Sequence, residues 1–198
     1  SNPTRLGASA ELKDGHWHIN GHKWFTTGAD GADFAIIMAV TEPKAAKHQQ
    51  ASMIIVPTDT PGYSLVRNIS VMGSEGDGYF SHGEVKFTDV KVPQHNLLGQ
   101  RGDGFLMAQQ RLGPGRIQHC MRWIGIARRC FDIMCRHVKQ RHITDTQTLA
   151  QQPVIQVKIA DSYAAIEAAQ HLVQATAERI DKEGYAAARH AISMIKFH

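Results

Sequence analysis

The stretch NGHKWFTTG, Asn20 to Gly28, places an indole, a phenyl ring and two adjacent hydroxyls directly after a turn-forming Asn-Gly pair. Taken alone, Trp24 reads as a core residue and Thr26 as a strand former. Just upstream, His16, His18 and His22 form HxHxxxH. The first two share a strand face, the Asn-Gly pair intervenes before His22, and no Cys or carboxylate lies at metal spacing. Exposed hairpin histidines are therefore expected, and no metal site. GSEGDGYFSHGE, residues 73–84, is glycine-rich but lacks both GxGxxG and GK[ST]. It leads into a strand, whereas a phosphate loop leads into a helix, so it reads as a flexible surface loop. No GxSxG nucleophile turn and no catalytic cysteine context is present. In RLGPGRI, Pro114 is expected to close one short helix and open the next, which sets Arg116 near a helix N-terminus, a favourable place for an anion.

The elements that must position these residues change character midway. ASAEL, HWHIN, HKWFTT, DFAIIMAV, ASMIIVP, YSLVRNIS and GEVKFTDVKV are short, rich in β-branched and aromatic residues, and separated by turn signals. Their spacing predicts a small β-barrel or sandwich, with WHINGHKWF as its clearest hairpin, turning at Asn20-Gly21. After Gly102 the period becomes helical. Ile117, Met121, Ile124, Phe131, Met134 and Val138 mark one helix face, and a second helix runs from Pro153 to Gly184. The two should pack antiparallel, with a third helix from about Tyr185 and one side of the pair left without cover. The fold class is thus α+β, a β domain over residues 1–100 and an incomplete helix bundle over 101–198.

Composition agrees with two different halves. Residues 1–100 hold eight basic and ten acidic residues, residues 101–198 fourteen and eight. The basic residues are interspersed with acids and apolar residues rather than clustered as in a nucleic-acid arm, so no nucleic-acid partner is expected. Three cysteines, 120, 130 and 135, show no CxxC spacing and read as reduced, intracellular thiols. No apolar run is long enough to span a membrane. With no initiator Met and a close on MIKFH, the chain is expected to be a piece of a longer polypeptide.

Three segments in this order resemble the flavin-dependent acyl-CoA dehydrogenase family: NGHKWFTTG, then VKFTDVKVPQHNLLGQRGDGF, then the helix pair with Arg141 after its first member. The likeness covers essentially the whole chain, as the family's middle β domain and the start of its C-terminal helical domain. RLGPGRIQHCMR is similar to a subgroup fused to kinase-like domains in animals and to bacterial relatives.

The resemblance implies FAD as cofactor, with Trp24 against the isoalloxazine, Phe25 beside it, and the Thr26 hydroxyl near the reactive flavin nitrogen. A hydroxyl can donate or accept there, and an indole excludes water. It matches Ser1 to a serine ending a flavin and substrate loop, and Arg116 to an arginine on the CoA moiety. It matches Arg141 and Gln152 to groups reaching the FAD of a neighbouring subunit, although Thr144 and Asp145 stand where the family has Phe-Gly. The implied reaction is α,β-dehydrogenation of an acyl-CoA thioester to the trans-2-enoyl-CoA, with electrons passed to an acceptor such as electron-transfer flavoprotein. The partners implied are the acyl-CoA substrate and further copies in a homodimer or homotetramer. The compartment would be the bacterial cytoplasm, or in a eukaryote the mitochondrion or peroxisome. No catalytic base is expected in this chain, because the family's usual glutamate falls beyond His198 and its minority position matches Gly115. An acyl-CoA oxidase, a related flavin monooxygenase or a noncatalytic assembly module of the same fold are the alternatives.

Overall fold

The structure, a computed structural model, describes residues 2–197. It divides between Gln109 and Gln110 into two compact units. The α+β class holds, with a mixed seven-stranded sheet in the first unit and helices in the second.

The strands are β1 (Ser9–Lys13), β2 (His16–Thr27), β3 (Phe34–Val40), β4 (Ala51–Pro57), β5 (Tyr63–Asn68), β6 (His82–Pro93) and β7 (Leu97–Leu98), in the order β5-β6-β2-β1-β3-β4-β7. Neighbours are antiparallel except β1 and β3. Trp17, Ile19, Val85 and Val90 from one arm of the sheet join Ile37, Ile54 and Val56 from the other in a single buried cluster. Alternation along each strand supplies those residues to one face, and burying each is worth roughly 1.5–3 kcal/mol. Trp17 is fully buried, its indole Nε1–H donating to the Gln94 carbonyl at 3.2 Å.

The predicted Asn20-Gly21 hairpin does not form, because β2 runs straight through that pair. The two-residue turn is Asp14-Gly15, with φ of 49° and 74°, pairing Lys13 with His16. Gly21 serves close approach instead, since a Cβ there would lie 2.6 Å from the Cβ of Ala8. Asn20 uses its amide oxygen to accept the Asp89 N–H at 2.9 Å, where β6 carries an extra residue against β2.

The RGDGF motif turns sheet into helix. The Gly102 N–H donates to Ser52 Oγ, which also bonds Thr41 Oγ1. A Cβ on Gly102 would meet the Gln49 carbonyl oxygen at 2.7 Å.

Helix α1 (Gly104–Gln140) is continuous, so the expected break at Pro114 is absent and Arg116 lies inside a helix, not at an N-terminus. Proline costs a helix one hydrogen bond, yet α1 carries exposed Pro114 in its interior without ending there. Gly113 is small for packing rather than for stopping: a Cβ would sit 1.8 Å from the Tyr185 ring. Helix α2 (Pro153–Glu183) begins on its proline and ends at Gly184 with φ 81°, as expected. Helix α3 (Arg189–Phe197) starts later than expected, after a turn at residues 185–188. Along α1 and α2, Arg128 pairs with Glu167, and the rings of Phe131 and Tyr163 lie 5.7 Å apart, which makes the two helices antiparallel.

Candidate functional site

Between Lys23 and Thr26 the β2–β6 register slips by one residue, leaving Trp24 and Phe25 outside the ladder. Phe25 takes φ 54°, the left-handed region that a phenylalanine seldom occupies. A bulge of this kind re-aims side chains, and here it turns two large rings outward. Trp24 is 54% exposed and Phe25 55%. Their ring centroids are 6.1 Å apart. The plain core reading of Trp24 is therefore wrong. Thr26 follows at once and is half-buried. The Thr27 hydroxyl is engaged with His82 Nδ1 at 2.9 Å, whereas that of Thr26 has no hydrogen-bond partner among the described residues. An exposed aromatic pair beside a free hydroxyl offers stacking and one hydrogen bond to a planar polar ring.

A charged cluster underlies the indole. Glu84 on β6 is nearly buried, accepting from Arg67 Nε at 2.7 Å and lying 2.8 Å from His22 Nε2. The Arg67 hydrogen bond is the main influence holding its carboxyl below the usual carboxylate range; burial pushes the other way, and His22 adds to the lowering. The Arg67 guanidinium carbon lies 5.5 Å from the Trp24 ring centroid, and His22 meets the indole edge-on with centroids 6.3 Å apart. Beside them, Lys23 turns inward to donate to the Met38 carbonyl at 2.8 Å, and burial lowers its pKa. Sequence reasoning missed this cluster. Arg67 and Glu84 are directly opposite in the β5–β6 ladder, and that register cannot be read from either strand alone.

The other expected residues are placed as follows. Trp24, Phe25 and Thr26 are together in the first unit, while Arg116, Arg141 and Gln152 belong to the second. Arg116 is half-buried within α1, and Arg141 is exposed just past its end. Gln152 caps α2. One loop joins these last two: Leu149 N–H donates to the Arg141 carbonyl, and Gln152 N–H to that of Leu149. Thr144 Oγ1 accepts the Gln147 N–H within that loop, and Asp145 is exposed. Ser1 lies outside the described residues. Of the histidines, His18 pairs with Asp89 and His22 with Glu84, and no group of three potential metal ligands occurs among the described residues. The stretch expected to be a loop over 73–84 already enters β6 at His82; ahead of it Asp30 anchors the backbone by accepting the Gly78 N–H, and Tyr79 and Phe80 are exposed.

Two family models match consecutive stretches of the chain: acyl-CoA dehydrogenase, middle domain, over residues 1–90, and acyl-CoA dehydrogenase, C-terminal domain, over residues 102–198. The chain belongs to the acyl-CoA dehydrogenase family. It is 45% identical over 180 residues to "Probable acyl-CoA dehydrogenase FadE2" of Mycobacterium tuberculosis, covering 90% of this chain and 44% of that protein. It is 43% identical over 198 residues to acyl-CoA dehydrogenase family member 10 of Mus musculus, covering 99% of this chain and 18% of that one. Both kinds of relative, animal and bacterial, agree with the subgroup that RLGPGRIQHCMR resembles. Among solved structures, acyl-CoA dehydrogenase from Geobacillus kaustophilus superposes with a TM-score of 0.82 at 25% identity, covering 99% of this chain and 51% of that one. Butyryl-CoA dehydrogenase from Megasphaera elsdenii gives 0.79 at 29%, covering 97% and 50%. The chain thus spans about half the length of these solved relatives, and less of the curated ones. Among the described residues, no helix is long and apolar enough to cross a membrane.

Proposed function

We propose that this chain forms part of an FAD-dependent oxidoreductase that removes hydrogen from the α and β carbons of an acyl-CoA thioester, leaving the trans-2-enoyl-CoA. The observation that carries the reading is the bulge that exposes Trp24 and Phe25 beside the free hydroxyl of Thr26, in a chain of this family. These residues fit a flavin: the indole would cover part of the ring and exclude water, Phe25 would extend the apolar wall, and the Thr26 hydroxyl could donate to or accept from a ring nitrogen. FAD, when bound, supplies the acceptor for the β hydrogen, which leaves as hydride.

Arg116 is assigned to the CoA moiety and acts from within α1, so its guanidinium rather than a helix terminus supplies the positive charge. Arg141 and Gln152, on one loop, are assigned to the cofactor of a neighbouring copy in a homodimer or homotetramer, and exposed Asp145 weakens that contact with a diphosphate. Removing the α proton takes a carboxylate. The resemblance to the family assigns the base to sequence outside this chain, since its minority position matches Gly115, which has no side chain, and Glu167 is paired with Arg128. Electron-transfer flavoprotein is the proposed acceptor.

The visible absorption spectrum of the purified full-length protein tests this. A flavin band that bleaches anaerobically when acyl-CoA is added, and is not restored quickly by air, is the expected result. Rapid recovery in air would point to an oxidase. No band, even after incubation with FAD, would overturn the reading in favour of a noncatalytic module.

A further inference from the structure

We propose that Glu84 is a positioning residue of the site, acting through Arg67 and His22 to fix the indole of Trp24; as a statement about flavin binding, this rests on the FAD reading above. The β2–β6 ladder does not hold Trp24 or Phe25, since pairing passes from Lys23–Val85 to Thr26–Gly83. The orientation of the indole therefore depends on its side-chain neighbours. Two of these are Arg67, over the ring at 5.5 Å, and His22, edge-on at 6.3 Å. Each is tied to a different oxygen of one carboxylate, Arg67 to Oε2 and His22 to Oε1. A nearly buried carboxylate is costly unless paired. An ion pair alone would satisfy Glu84, but it would not require the guanidinium to lie over an exposed ring. With the carboxylate removed, the long Arg67 side chain regains its rotamers, and the indole loses its cover on that side.

The test uses the full-length protein labelled with 5-fluorotryptophan, the Trp24 resonance being assigned by its loss in Trp24→Phe. In Glu84→Gln and in Arg67→Met, that resonance should shift and broaden while those of Trp17 and Trp123 stay in place. Both variants should release FAD about tenfold more readily, with the double variant no worse than either single one, as expected of residues acting in series. A Trp24 resonance unmoved in both would overturn the inference, and so would additive losses of FAD. If Glu84→Gln fails to fold, Arg67→Met decides, because that side chain is more than half exposed. If the wild-type protein takes up no FAD at all, the flavin reading falls, while the fluorine spectra still determine whether Glu84 positions Trp24.

Discussion

Two charged side chains near the bulge should make stability rise with pH at opposite ends of the scale. Glu84 is held below the usual carboxylate range, first by the Arg67 hydrogen bond and, against burial, by that of His22. Between its lowered value and that of an unfolded glutamate, near 4.3, the unfolded chain binds more protons. The contribution is complete above that range and is lost as pH falls through the folded value. Urea midpoints measured from pH 7 down to pH 3 should therefore fall more steeply for the wild type than for Glu84→Gln; parallel curves would show that the ion pair has no net effect. Lys23 is lowered by burial, so the unfolded chain again holds the extra proton, this time below the ordinary lysine pKa of about 10.4. Stability should gain between the lowered value and that limit, and Lys23→Met should remove the alkaline rise.

At the scale of elements, the two glycines flanking Pro114 make opposite predictions. A Cβ on Gly113 would overlap the Tyr185 ring, whereas one on Gly115 meets nothing within 4 Å. Gly115→Ala should then stabilise α1 by about 0.5–1 kcal/mol through helix propensity, and Gly113→Ala should cost roughly 1–3 kcal/mol through overpacking. Denaturant midpoints with unchanged m-values would measure both, and equal shifts would mean that the glycines serve the backbone alone. This pair also marks how far the sequence could be read. Strands such as FAIIMAV and helix α2 were legible because their periodicity and end signals are local. Gly21 reads as a turn residue and the Gly113-Pro114 pair as a helix break because what the two glycines accommodate, Ala8 and Tyr185, comes from elsewhere in the chain. The site divides in the same way. Trp24, Phe25 and Thr26 stand in one contiguous motif and could be singled out by resemblance, while the outward turn of the rings depends on a register slip against β6. Glu84 and Arg67 meet only through strand pairing, so neither drew notice.

At the scale of the whole molecule, α1 carries more apolar surface than one partner helix can cover. Of the face read from its period, Ile117, Ile124, Phe131, Met134 and Val138 are wholly or partly buried, whereas Met121 is 59% exposed. A second stripe, Trp123, Ile126 and Ile133, repeats at helical spacing and is exposed at 67%, 46% and 47%. Val154 and Val157 on α2 are exposed as well. A helix that is apolar on two faces is one that is buried on two faces, and contiguous apolar patches of this kind are uncommon on stable monomers. The 198-residue chain by itself should therefore associate at micromolar concentrations, through contacts resistant to salt because they are apolar rather than ionic. Sedimentation velocity over a concentration series would show it as a rising weight-average coefficient, little changed by 0.5 M NaCl. Trp123→Lys with Ile126→Lys should return the chain to a monomer without lowering its melting temperature, since neither side chain is buried in the unit that folds. A wild-type chain that stayed monomeric throughout would mean that the stripe is covered by means other than self-association, and a double variant that lost stability instead would place Trp123 and Ile126 in the fold's own core.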